Sequence, residues 1–358
     1  MFKNYKFDPK DPSDKHTFEI HNIDISIING IRRIILTDIP NVGIIGEEDT
    51  TVEIIKNDGP LHNEIISHRI GLLPICLNAK DIEEYEDNSI ELELNLINQK
   101  NELLNVTTGH FKGKKNGKDL TEKELNIMFP VNPITKSHIL ITRLRTNEQL
   151  HFKAKVVKKT ARYNAAFSPV SLSGFFYLQD PILSDKKDNI LDKERSYYVN
   201  KYGEANAVQF ELEPINKLLG PKYLINKSLD IIIEKLNILI NNILDENIGK
   251  NGIIFNKYQD LENTYEFSIE NEDDTLGNII QSYVHSRYVR EGNTTFDNIK
   301  CSYAGYICPH PLKTELLLRF TLDNQNEPLK FIKFLENNCK DIINELEKIK
   351  INWNKFVQ

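Results

Sequence analysis

The sequence predicts an α+β protein built as an intrachain pseudo-dimer, two like folds of a sheet and two helices each, with a mostly β domain inserted into the first. Three observations predict it. With 358 residues, the chain has room for two or three domains. Residues 18–36 and 267–285 align without gaps at a constant offset of 249, sharing Phe18/Phe267, Ile20/Ile269, Asn22/Asn271, Asp24/Asp273, Asn29/Asn278 and Ile31/Ile280. Each copy is followed further along by one long amphipathic helix.

Residues 1–16 are polar and hold no apolar signal core, and no stretch approaches 18 uninterrupted apolar residues. Four scattered cysteines (Cys76, Cys301, Cys308, Cys339) suggest a reducing compartment, so a soluble intracellular chain is expected. A hydrophobic share of 40% with 27% charged residues excludes global disorder. A net charge of −7 argues against a surface built as a whole for nucleic acid.

The first copy reads as a short alternating strand (Phe18, Ile20), an Asx/Ser cluster suited to an N-cap, and a helix whose Ile27, Ile31, Ile34, Ile35 and Ile39 form one stripe. The second repeats this with Leu276, Ile279, Ile280, Tyr283, Val284 and Tyr288. Long helices are predicted over 225–245, with its stripe from Ile225 to Ile243, and over 329–353, with Leu335, Ile342, Leu346 and Trp353. Two half-cores with such stripes would close on each other as an isologous dimer does. The ranges follow: 1–50 and 200–245 for the first dimerisation fold, 51–199 for the insertion, 246–264 for a polar linker, and 265–358 for the second fold. A linker of that length holds the halves at about millimolar effective concentration. Its apolar Ile253, Ile254 and Phe255 suggest a docked strand.

Residues 29–44 (NGIRRIILTDIPNVGI) and 63–75 (NEIISHRIGLLPI) resemble the signature of the alpha-like subunits of multisubunit RNA polymerases: bacterial alpha, archaeal D and the eukaryotic third-largest subunit. Residues 160–170 (TARYNAAFSPV) resemble the later HAKWSPV element, and 210–236 the returning strand and long helix. Residues 273–280 (DDTLGNII) and 304–312 (AGYICPHPL) resemble the smaller partner, the eleventh-subunit type and archaeal L. Departures are Gly30 for the frequent Ala, Ser26-Ile27-Ile28 for Thr-Leu-Gly, Phe167 for Trp and Asn164 for His. A Cys quartet is absent from the insertion, so no zinc, iron–sulfur or other cofactor is expected.

The resemblance implies a non-catalytic assembly platform in a DNA-directed RNA polymerase. It would hold the largest and second-largest subunits, with a small tenth-subunit-type adaptor as a further partner, and would meet DNA only through the complex and no membrane. A large-plus-small fusion is the arrangement of nucleocytoplasmic large DNA viruses, which implies the viral factory in the host cytoplasm and packaging in the virion. The competing class is a stand-alone homodimeric scaffold or a hydrolase on the same fold.

No catalytic constellation emerges. His62, Glu64 and His68 do not make HExxH, since the two His lie six apart, about 240° around a helix. Cys301, Cys308 and His310 fall short of four zinc ligands. Neither a P-loop nor an Asp-rich magnesium motif is present.

Interface residues are expected instead: Asn29, Ile31, Arg32, Arg33 and Ile34 on the first helix, His68 and Arg69, then Leu276, Asn278, Ile280 and Tyr283, and Leu335, Ile342 and Leu346. By themselves Arg32 and Arg33 read as solvated arginines. The resemblance implies that Arg33 docks the second-largest subunit, its fork suited to a partner carboxylate. His68 and Arg69 read equally as partner contacts or plain surface. The basic runs 112–115 and 153–162 have no aromatic platforms apart from Phe152 and Tyr163, so solvated loop or protein contact is favoured over nucleic acid. Residues 107–120 read as a flexible loop, and 309–311 as the turn of a hairpin.

Overall fold

Alternation sets the first half: in His16–His21 the side chains of Phe18 and Ile20 point into the core, 0% and 2% exposed. The computed structural model describes residues 1–357 apart from 12, 48, 245–251 and 291–293. In chain order, β1 (Phe2–Phe7), β2 (His16–His21), α1 (Ile25–Thr37) and β3 (Asn41–Gly43) come first. The insertion holds β4 (Val52–Asn57), α2 (Asn63–Gly71), α3 (Ala79–Glu83), β5 (Ile90–Ile97), β6 (Leu104–Thr107), β7 (Lys112–Lys115) and β8 (Lys118–Asp119). It continues with α4 (Glu122–Met128), β9 (Leu140–Leu144), β10 (Gln149–Lys155) and β11 (Val157–Lys159). The chain returns through β12 (Val170–Tyr177), α5 (Pro181–Ser184), α6 (Ile190–Glu194), β13 (Ala207–Pro214) and α7 (Pro221–Leu244). The second half is β14 (Ile253–Lys257), β15 (Thr264–Glu270), α8 (Asp274–Val284), β16 (Cys301–Ile307), β17 (Glu315–Leu322) and α9 (Pro328–Phe356).

The internal echo is structural. The first half carries a sheet of order β1-β2-β13-β12 and the second one of order β14-β15-β17-β16, so they correspond strand for strand. At the end of each echoed strand an Asn takes a left-handed backbone, Asn22 at φ 56° and Asn271 at φ 61°. Two residues on, an Asp caps the helix: Asp24 Oδ1 accepts from the Ser26 N–H at 2.8 Å and Asp273 Oδ1 from the Thr275 N–H at 2.9 Å. The long helices α7 and α9 run antiparallel against each other, Asn226 Nδ2 donating to Asn354 Oδ1 at 2.8 Å.

Two expectations change, and a third, the docked strand of the linker, is met. The insertion is shorter than 51–199, because β12 hydrogen-bonds to β13 and covers α1; it occupies the place that β16 holds in the other sheet. Residues 107–120 are ordered structure in place of a loop: β7 and β8 pair Lys115 with Lys118 around a two-residue turn. Asn116 (φ 51°) and Gly117 (φ 78°) give the turn its two positive φ values, the Asn-Gly signature of a type I′ hairpin. Gly117→Ala is expected to cost about 1 kcal/mol, read as a drop in the midpoint of denaturant unfolding. The linker lies outside the described residues over 246–251; beyond them, Ile253 to Lys257 form β14 on β15.

The insertion's main sheet, β4-β10-β5-β7-β8, is polar on one face and places Leu92, Leu94, Leu150 and Phe152 in the core on the other. The parts of the basic runs on β7 and β10 sit on the polar face in register with acids: Lys114 and Lys155 flank Glu91, and Lys112 and Lys153 flank Glu93. Each carboxylate lies between two ammonium groups across the strands, so this face is a charge mosaic rather than a track for phosphates.

Candidate assembly interface

The junction of the two halves is where the predicted residues meet. Ile31, Ile34, Leu276, Ile280, Leu335, Ile342 and Leu346 are each at most 2% exposed and belong to one continuous apolar core. Helix α9 reaches across it. Trp353, fully buried, packs its ring 4.7 Å from Phe18 and 5.0 Å from Phe2, both in the first half. Those stripes are therefore internal, their area already covered by the chain itself.

Helices α1 and α8 cross at the junction under isologous rules. Arg33 Nη2 lies 3.6 Å from the cap carboxylate of Asp273, and Ser282 Oγ donates to Asp24, the other cap, at 3.1 Å. Residue 282 stands at the offset of 249 from residue 33, and 273 from 24, so these are the two reciprocal contacts of one pseudo-twofold. Arg33 Nε also donates to Thr275 Oγ1 at 2.8 Å. Within the chain, the acceptors nearest to Arg33 are therefore those of the second half. Such use was hidden because the partners lie 240 and 242 residues away.

Around that crossing is an ion-pair network absent from the sequence reading. Arg162, from the segment after β11, donates to Asp38 Oδ1 at 2.5 Å and to Asp273 Oδ2 at 2.9 Å. Lys235 on α7 lies 3.0 Å from Glu272 and 3.8 Å from Asp38. Burial would raise the Asp273 pKa, but the hydrogen bonds from Arg162 and Thr275 hold it at about 2. Glu272 goes the other way, because desolvation outweighs Lys235. In the sequence Arg162 is one end of a basic run. Nothing in its neighbourhood announces a partner 111 residues on, though Asp273 was marked by the echo with Asp24.

The remaining predicted residues divide. Arg32 is half-buried, its Nε donating to Asn29 Oδ1 at 3.0 Å, and burial together with Arg33 lowers its pKa. Asn278 and Tyr283 are half-buried on α8, with Arg287 donating to the Tyr283 hydroxyl. On α2, Arg69 ties the insertion together by donating to the Ile141 carbonyl at 2.8 Å and the Leu140 carbonyl at 3.0 Å. Exposed His68 lies 3.1 Å from Glu47. Beside it Ile65 (47% exposed) and Leu72 (57%) face outward. Among the described residues no cluster of His, Cys, Asp and Glu is arranged to hold a metal, and no helix is long and apolar enough to cross a membrane. Cys301 and Cys339 are buried, and desolvation raises both thiols to about 12, which removes their nucleophilic form.

Residues 17–236 match the family model described as the RNA polymerase Rpb3/Rpb11 dimerisation domain, and residues 264–351 match a second model of the same description. Among curated proteins, the chain is similar to Arabidopsis thaliana "DNA-directed RNA polymerases II, IV and V subunit 3", 26% identical over 219 residues, covering 57% of this chain and 66% of that protein. It is similar to Saccharomyces cerevisiae "DNA-directed RNA polymerases I and III subunit RPAC1", 28% identical over 183 residues, covering 44% of this chain and 52% of that one. A Tetrahymena thermophila "Conjugation stage-specific protein" is 26% identical over 206 residues, 52% of this chain and 63% of the other. The chain thus spans between about half and two thirds of the length of these curated relatives.

Proposed function

The chain belongs to the RNA polymerase Rpb3/Rpb11 dimerisation-domain family, and from that membership we propose that it is the assembly platform of a DNA-directed RNA polymerase, a subunit without an active site of its own. The observation that carries this reading is the presence of two dimerisation folds in one chain with their apolar stripes closed on each other. A platform made this way needs no second alpha-like chain. Its work is to present a fixed outer surface to the two large catalytic subunits, with a small adaptor as a further partner. The contact surface proposed for them is α1 and α2, where Arg32 is half-buried and Ile65, His68 and Leu72 are exposed. Exposed apolar residues beside a charged group suit the rim and core of a protein interface. The union of a larger and a smaller alpha-like fold also supports a viral source, with work in the host cytoplasm and packaging in the virion.

Affinity purification of the tagged full chain from the cells that produce it, with mass spectrometry of what is retained, tests the assignment. Both large polymerase subunits are expected in one particle, surviving high salt. A chain recovered without them, or a purified chain that turns over a substrate alone, overturns it.

A further inference from the structure

At the crossing of α1 and α8 one position faces its own counterpart. Residue 279 stands at the offset of 249 from residue 30, and the two touch: a Cβ placed on Gly30 would lie 2.7 Å from Ile279 Cδ1. That is closer than packed carbon atoms tolerate. A residue that meets its own equivalent lies on the pseudo-twofold axis. A pair of first halves would therefore set Gly30 against Gly30, and a pair of second halves Ile279 against Ile279.

We propose that Gly30 and Ile279 are a hole and a knob that make the junction accept unlike halves and reject like ones. The reciprocal cap contacts do not make this choice, although the Lys235–Glu272 pair favours unlike halves, because the place of Glu272 is taken by Ile23 in the first half. Two first halves would still bring Arg33 to the Asp24 cap, and two second halves would bring Ser282 to Asp273, each of these being a chemistry already seen at the junction. Sterics can. Gly against Gly leaves a void in a core packed without space to spare, and Ile against Ile overfills it. Gly30 sits inside α1, where glycine is the costliest ordinary residue for a helix, so local propensity gives it no reason to be there. The proposal concerns internal pairing and stands whether or not the chain assembles a polymerase.

The full chain can reproduce both like pairs in itself. Gly30→Ile places Ile against Ile, Ile279→Gly places Gly against Gly, and the double variant exchanges knob and hole with no net change in helix propensity. Thermal unfolding of all four proteins is compared. Each single variant is expected to lower the midpoint, and the exchange to recover most of the combined loss. Should Gly30→Ile fail to fold, a milder cycle decides. Gly30→Ala, which helix propensity alone would make stabilising, is expected to raise the midpoint less in the parent chain, where its Cβ meets the end methyl of Ile279, than in Ile279→Ala. A Gly30→Ala variant that is stabilised as much in the parent chain as in Ile279→Ala, or an exchange that recovers nothing, overturns the proposal.

Discussion

Trp353→Ala is expected to destabilise the chain by about 3–5 kcal/mol, the range for emptying a fully buried aromatic site, because its ring joins the end of α9 to the first half. It lies against Phe18 at 4.7 Å, Phe2 at 5.0 Å and Phe356 at 5.9 Å, and is 0% exposed. The indole N–H finds no acceptor, so Trp353→Phe gives up area but no hydrogen bond. Its cost is expected below about 1.5 kcal/mol, as for a conservative core exchange. Denaturant unfolding followed by circular dichroism separates the two. Since Trp353 is the chain's one tryptophan, its fluorescence also reports directly on the junction in the parent protein. Equal losses for Ala and Phe would show that packing against Phe18 and Phe2 is not what holds α9 there.

Arg162→Ala is expected to cost about 2–3 kcal/mol at neutral pH. Removing one partner of a buried ion pair leaves the other poorly compensated, here the carboxylate of Asp38 at 8% exposure, left with Lys235 at 3.8 Å, and that of Asp273 at 23%, left with Arg33 at 3.6 Å. The figure is set below the fully buried case because Arg162 itself is 43% exposed and solvent screens part of the interaction. The pH dependence follows from Asp273. Its pKa is about 2 in the fold against an ordinary 3.8, so its stabilising contribution is whole above about pH 3.8 and fades as pH falls towards 2. That contribution is about 2 kcal/mol. Glu272, raised by burial, works in the opposite sense: its ionised form is the disfavoured one, and protonation on acidification relieves it. In Arg162→Ala the acid-side loss from Asp273 is expected to shrink, and stability measured from pH 7 down to pH 2 should converge with that of the parent. Parallel curves would place the stabilisation by Arg162 elsewhere.

Much of the architecture was legible in the residues because it depends on short-range periodicity. The stripes of α1, α7, α8 and α9 repeat at helical spacing, and the caps Asp24 and Asp273 precede them at the same interval. The offset of 249 announced a pseudo-dimer, and the matching strand orders and the left-handed Asn22 and Asn271 bear this out. The hairpin at Asn116 and Gly117 carries its own local signal, an Asn-Gly pair set among lysines.

What the chain order does not contain is which polar groups meet once the halves close. Arg33 read as a hand extended to another protein, yet it meets Thr275 and Asp273 of its own chain. Arg162 read as one charge in a basic run, yet it joins α1 to α8. Strand β12 read as insertion, yet it completes the first sheet. The physical reason is one of range. A cap, a stripe or a turn is decided by neighbours within a few residues. An ion pair, a sheet edge or a glycine facing an isoleucine is decided by the approach of segments far apart in the chain, and only the tertiary structure supplies that approach.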